Sequence, residues 1–283
     1  MGNHQIRENR MKISILGCGW LGLPLAKSLV EKGHSVKGSS TTFEKLAVLR
    51  QANIQPFALR LAPEPQGVGW PSFLEADVLI INIPPRLERE VAGFHVAQMQ
   101  QLANSLSNSP VQRVLYVSST SVYPELNRVV FESDVTTPAQ SAAPALVEAE
   151  QIIQNLAIPS LILRCGGLMG YERIPAKYVS GKQNLETGNI PVNYVHRDDV
   201  IGVITHFLKQ PTAWNRVYNV VAPEHPLRRQ VYEATAAPFG YLPPTFSESA
   251  TIQPFKIVSS QTLLQSTSYP FCYPNPLTFY YGL

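Results

Sequence analysis

Gly17-Cys18-Gly19-Trp20-Leu21-Gly22 follows the apolar run Ile13–Leu16 and opens an amphipathic stretch through Val30. Glycines at this spacing, between a strand and a helix, suit the capture of a pyrophosphate. Gly17 permits the tight turn, Gly19 lets backbone approach the anion, and Gly22 lets helix and strand pack closely. The helix start around Trp20, Leu21 and Gly22 then offers N–H groups to the negative charge. An ordinary strand-to-helix turn would need glycine only where φ is positive, leaving the spacing of three unexplained. About twenty residues beyond such a loop, a protein that prefers NAD usually carries an Asp or Glu for the ribose hydroxyls. Here the second strand ends Gly38-Ser39-Ser40-Thr41-Thr42 instead. The missing acid and the hydroxyl row favour NADP, with NAD as the alternative. Thr41 to Glu44 also fits a helix capping box.

Two further strand ends could complete such a site. Asn82-Ile83-Pro84-Pro85 leaves its strand extended, because proline fixes φ and lacks a donor, and Ile83 and Pro84 could flank the adenosine or simply stop the strand. Ser118-Ser119-Thr120-Ser121-Val122-Tyr123 places a hydroxyl cluster where ligands bind in open α/β sheets.

The elements that must position these residues alternate. Strands are expected at Lys12–Leu16, Ser35–Gly38, Asp77–Ile83, Arg113–Ser118 and Ser160–Arg164. Helices are expected at Trp20–Lys32, Thr42–Gln51, Ala92–Leu106 and Ala145–Leu156. Such alternation defines an α/β, Rossmann-like, doubly wound parallel sheet. From Cys165 the pattern shortens, with strands near Val192–Val195, Val217–Val220 and Lys256–Ser259 and helices near Asp198–Lys209 and Leu227–Ala237. The expected organisation is a polar tail over 1–10, a dinucleotide-binding domain over 11–165, and a smaller C-terminal substrate domain over 166–283 that can interleave with the first.

Composition narrows the classes. Of 283 residues 45% are hydrophobic, enough for a substantial core, and the net charge is only +3 without a dense Lys/Arg run, which disfavours nucleic-acid and membrane-surface partners. The apolar runs are strand-sized and the first ten residues are polar, so the expected location is cytoplasmic. Cys18, Cys165 and Cys272 form neither a disulfide framework nor, with histidines, a metal site.

Taken together, the glycine loop, Gly38-Ser-Ser-Thr-Thr, Ser118-Ser-Thr-Ser-Val-Tyr-Pro, Arg164-Cys-Gly-Gly-Leu-Met-Gly170, Val192-Asn-Tyr-Val-His-Arg-Asp-Asp-Val200 and Tyr218-Asn-Val-Val-Ala-Pro resemble the extended short-chain dehydrogenase/reductases. The resemblance is to the NAD(P)-dependent epimerase/dehydratases, particularly their YeeZ-like branch, and spans nearly the whole chain. It implies that Ser119 is the catalytic hydroxyl, that Ser118, Cys165 and Gly166 lie against the cofactor, and that two copies pair through helices flanking the sheet. It also implies a Tyr-x-x-x-Lys pair, but Ala142 and Leu146 stand at those positions. Tyr178 and Lys182 have the spacing, yet lie beyond the strand Ser160–Arg164 with Gly181 between them, and read as a coincidence.

Tyr123 could take over proton transfer, although a phenol without a cation nearby stays near pKa ~10; packing beneath the cleft is the plainer role. His196 with Asp198 and Asp199 could form a base and its orienting acid, or Asp198 could cap the following helix. Cys18 could be a reactive thiol at a helix start or a small packing residue. Arg86 and Arg173 could meet an anion or sit on a solvated face. Two functions follow: an NAD(P)-dependent oxidoreductase, epimerase or dehydratase acting on a small polar substrate of the nucleotide-sugar kind, or an NADP(H)-binding redox sensor without turnover. Substrate selection would fall to 125–143 and 171–191.

Overall fold

A computed structural model describes residues 10–84, 93–210, 213–248 and 253–282. Its strands are β1 (Lys12–Leu16), β2 (Ser35–Ser40), β3 (Gln55–Ala58), β4 (Arg60–Leu61), β5 (Pro65–Gln66), β6 (Val78–Ile81), β7 (Arg113–Ser119), β8 (Arg128–Val130), β9 (Ser160–Cys165), β10 (Gly167–Met169), β11 (Tyr194–His196), β12 (Arg216–Val220) and β13 (Lys256–Val258). Its α-helices are α1 (Gly22–Glu31), α2 (Phe43–Gln51), α3 (Trp70–Leu74), α4 (Phe94–Leu106), α5 (Pro144–Gln154), α6 (Arg197–Leu208), α7 (Arg228–Ala236) and α8 (Gln261–Thr267).

Seven strands form the main sheet in the order β12-β9-β7-β6-β1-β2-β3. The chain starts in the interior of the sheet and winds first one way, through β2 and β3, and then the other, the reversal that defines a doubly wound fold. β1 pairs in parallel with β2 and β6, and β6 in parallel with β7. β6 and β9 are buried at every position, as expected of strands covered on both faces. Leu25, Ala26 and Leu29 of α1 are buried at helical spacing. The Ser14 hydroxyl donates to the Phe73 carbonyl, and the Phe73 ring meets Phe57 and Trp70 edge-on.

The chain divides into two interleaved units. One comprises Met1–Val117, Glu148–Ile162 and Trp214–Arg216; the other comprises Ser118–Val147, Leu163–Ala213 and Val217–Leu283. The units interleave along the chain instead of meeting at a single boundary at residue 165. The physical reason lies in pairing across long sequence separations. β8 pairs in parallel with β13, so the segment after β7 belongs with residues near the other end of the chain. Within the same unit β10 pairs in parallel with β11. The strand expected at Val192–Val195 is displaced to Tyr194–His196, and the small elements α3, α8, β4, β5, β8 and β10, together with the edge strand β3, are too short or too irregular in pattern to be read locally.

Candidate functional site

The glycine loop is locked by packing. Gly17 has φ of +103°, and a Cβ there would run into the Asn82 carbonyl oxygen. A Cβ on Gly22 would meet the Gly17 carbonyl oxygen. Nothing lies within 4 Å of a Cβ built on Gly19, so the backbone there faces open space. Two neighbouring strand ends hold the loop. The Gly17 N–H donates to Ser39 Oγ at 2.9 Å, the Cys18 N–H to the Ser39 carbonyl at 2.8 Å, and Asn82 Nδ2 to the Gly17 carbonyl at 2.9 Å. Cys18 is 4% exposed and packs toward Gly38. Burial pushes its thiol up to about 12, so it is a packing residue and not a reactive thiolate at neutral pH.

Around this loop the first unit holds a cavity of about 270 Å³. Gly17, Gly19, Ser39, Ser40, Thr41, Ile83 and Pro84, all expected on sequence grounds, line it. Trp20, Leu21 and Gly22 do not; they form the junction with α1, which starts at Gly22 and not at Trp20. Lys45, Arg60, Asn82, Phe94 and Gln98 also line it and were not anticipated. Lys45 carries a readable signal, since it stands in the first turn of the helix after the hydroxyl row. Arg60 carries none, because its position depends on how β3 continues past β2.

The hydroxyl row is used differently from expectation. Ser39 is 2% exposed and its oxygen accepts the Gly17 N–H. Ser40 Oγ accepts the Thr42 N–H at 3.2 Å, and α2 begins at an N-cap Thr42 whose side chain makes no capping bond. The capping box expected from Thr41 to Glu44 is therefore absent.

Ser118, Ser119, Tyr123, Cys165 and Gly166 belong to the second unit. Ser119 is half-buried at the end of β7, and its oxygen accepts the Ser121 N–H at 3.1 Å, which leaves its hydroxyl hydrogen available to donate. Ser118 is buried. Tyr123 is held by a hydrogen-bond network inside the second unit. Its side chain is fully buried, its hydroxyl donates to Asn219 Oδ1 at 2.7 Å, and it accepts from Arg164 Nη1 at 2.9 Å. The cation thought missing is thus present, yet burial outweighs it and pushes the phenol up to about 12.

Arg164 also donates to the carbonyls of Glu132 and Val135, while Glu132 accepts the Asn219 N–H and the Thr262 hydroxyl. Burial pushes the Cys165 thiol up to about 12. The Gly166 N–H donates to the Val220 carbonyl, and a Cβ there would crowd the Asn193 carbonyl, so packing accounts for this glycine.

The remaining candidates fall to structural roles. Leu146 is fully buried and Ala142 is exposed, and neither exchanges protons. Tyr178 ends a 3-10 turn at Pro175–Tyr178 and is 54% exposed, with no helix joining it to Lys182. His196 is fully buried and stacked 3.9 Å from the Tyr273 ring. Its Nε2–H donates to the Tyr280 carbonyl at 3.0 Å, and its Nδ1 accepts the Asp198 N–H at 3.2 Å. His196, not Asp198, therefore caps α6. Both ring nitrogens are committed to the neutral form, and burial holds its pKa below the usual value. Asp198 accepts the Tyr171 hydroxyl, and Asp199 accepts the N–H groups of Cys272 and Tyr273. Arg173 lies at a bridge with Gly170. Arg86 and Pro85 lie outside the described residues. Among the described residues no His, Cys, Asp and Glu cluster could hold a metal, and no helix is long and apolar enough to cross a membrane.

Sheet order and the glycine loop together define a Rossmann-like, doubly wound α/β fold, shared with solved proteins of the short-chain dehydrogenase/reductase type. A superfamily protein of that name from Agrobacterium tumefaciens, solved with bound NAD, superposes with a TM-score of 0.71 at 15% identity, over 93% of this chain and 93% of that one. MoeE5 in complex with UDP-glucuronic acid and NAD superposes with a TM-score of 0.77 at 16% identity, over 95% of this chain and 97% of that one. The chain belongs to the family of Protein YeeZ of Escherichia coli strain K12, with which it is 35% identical over 269 residues, 94% of this chain and 97% of the relative. No family model matches the chain.

Proposed function

We propose that this YeeZ relative binds NADP(H) in the cavity of its first unit and is an oxidoreductase of the epimerase/dehydratase kind, acting on a small polar substrate. The observation that carries this reading is the open backbone at Gly19 beside two glycines that no other residue can replace, in a cavity to which no carboxylate contributes among the described residues. A phosphate-bearing ligand fits such a cradle because backbone approaches it closely and no negative charge opposes it. When bound, a nicotinamide supplies hydride transfer. Ser119 is the candidate catalytic residue, its remaining hydroxyl hydrogen suited to hold a substrate oxygen. The complex of MoeE5 with a UDP-sugar supports a nucleotide-sugar substrate. The three free cysteines suit the reducing cytoplasm.

One observation favours the second reading, a redox sensor. Ala142 and Leu146 stand at the family's proton-transfer positions and the Tyr123 hydroxyl is committed inside its unit. Nicotinamide fluorescence titration followed by a turnover screen with carbonyl compounds and UDP-sugars separates the two. The enzyme reading expects turnover that falls about 100-fold in Ser119→Ala while cofactor affinity holds. Tight cofactor binding without turnover of any substrate favours the sensor. Absence of binding at millimolar NADPH and NADH removes both.

A further inference from the structure

We propose that Arg60, together with Lys45, selects the 2′-phosphate of the dinucleotide, an inference that rests on the cofactor reading above. Discrimination between a ribose 2′-hydroxyl and a 2′-phosphate is mainly a matter of charge. A carboxylate accepts from hydroxyls and repels phosphate, whereas a guanidinium does the reverse. Among the described residues the cavity lining contains Lys45 and Arg60 and no Asp or Glu. The serines at the end of β2 do not supply that discrimination, because Ser39 and Ser40 are buried and a neutral hydroxyl carries no charge with which to tell a phosphate from a ribose hydroxyl. Lys45 and Arg60 are exposed, and neither has an ion-pair partner among the described residues. Their charge is available to an incoming anion.

The backbone that carries Arg60 is fixed beside the end of β2. Ser40 pairs with Ala58, and the Leu59 N–H donates to the Ser40 carbonyl at 3.3 Å, which brings Arg60 to the strand end where the ribose of a dinucleotide is read. Beyond it Arg60 pairs with Gln66 across a short antiparallel ribbon. A buried line of hydrogen bonds holds the next residue. The Tyr116 hydroxyl donates to His95 Nε2 at 2.6 Å, His95 Nδ1–H donates to Gln98 Oε1 at 3.0 Å, and Gln98 Nε2 donates to the Leu61 carbonyl. A core strand and α4 thereby fix the backbone next to Arg60, while its side chain stays free to close on a ligand. Gln98 is a positioning residue in this arrangement.

The test is a set of titrations of the full chain with NADPH and NADH, and with adenosine 2′,5′-bisphosphate and 5′-AMP as competitors. The wild type is expected to prefer NADPH, and the bisphosphate to compete better than AMP. Arg60→Ala is expected to weaken NADPH by about 10- to 100-fold, with Lys45→Ala weaker in effect, while NADH affinity changes less than about threefold. Arg60→Glu should turn the preference toward NADH. Gln98→Leu should lower NADPH affinity less than Arg60→Ala does. NADH bound as tightly as NADPH by the wild type overturns the inference and leaves the cofactor reading standing. An equal loss of both nucleotides in Arg60→Ala also overturns it, since the residue would then serve the shared part of the ligand. Failure of the wild type to bind either nucleotide removes the inference and the cofactor reading together.

Discussion

The glycine loop after β1 and the hydroxyl segment after β7 both follow the carboxyl end of a buried strand, yet they spend their polar atoms differently. Around Gly17–Gly22, hydrogen bonds to Ser39 and from Asn82 fix the backbone, while open space remains at Gly19 and two cations line the cavity without an ion-pair partner among the described residues. Around Tyr123, the phenol, guanidinium, amide and carboxylate of Tyr123, Arg164, Asn219 and Glu132 are consumed by one another and by backbone. A region that must receive a ligand keeps binding capacity in reserve, whereas one that must hold a loop in place uses its capacity up. Ser119 stands at the border of the second kind, with one bond accepted and a hydrogen still to give.

Substitutions can break this contrast. Arg164→Leu should cost most, about 3 kcal/mol or more in urea unfolding, because it takes a charged donor away from the Tyr123 hydroxyl and from the carbonyls of Glu132 and Val135. Tyr123→Phe should cost about 2 kcal/mol by the same assay, leaving an arginine N–H and an amide oxygen short of a partner. If Tyr123→Phe leaves stability unchanged and abolishes turnover, the phenol is chemical after all and the contrast collapses.

The glycine loop sharpens the comparison. Gly17→Ala should lower stability by about 2 kcal/mol or more, from positive φ plus a clash with the Asn82 carbonyl, and should remove dinucleotide binding. Gly19→Ala should leave the melting temperature almost unmoved and weaken binding alone, because its methyl group enters open space.

A smaller effect is expected from pH. Burial holds His95, His196 and His225 below the ordinary imidazole pKa. The folded chain therefore binds fewer protons than the unfolded one as the medium turns acidic. Their contribution is complete above the unfolded value of about 6.5 and is lost as pH falls toward the depressed folded values. Burial raises Asp199, which works in the opposite direction, but in the carboxylate range from its ordinary 3.8 upward. Urea midpoints measured from pH 7.5 down to pH 5.5 should decline, and a flat profile would mean that these imidazoles take up protons in the native chain as they do in the unfolded one.

Much of this architecture was legible because it is local. Three glycines between an apolar strand and an amphipathic helix carry their own explanation, and so do the strand ends at Ser39–Thr41 and Ile83–Pro84. What escaped depends on partners far away in sequence. The direction of the Ser39 hydroxyl depends on Gly17, the burial of Tyr123 on Arg164 and Asn219, and the arrival of Arg60 at the cavity on the register between β2 and β3. His196 and Asp198 form a motif that looks chemical in one dimension. In three, the imidazole caps a helix and holds the Tyr280 carbonyl.

The parallel pairing of β8 with β13 also sets a clock on biosynthesis. A ribosome adds roughly 5–20 residues per second, so β8 leaves the tunnel roughly ten seconds ahead of the strand that completes it. Leu126, Val129 and Phe131 remain 38–41% exposed even in the finished protein, and until β13 arrives the edge beside them lacks its partner. The nascent second unit is therefore the part of this molecule most in need of a chaperone, while the β1, β2 and β6 framework is complete long before translation ends.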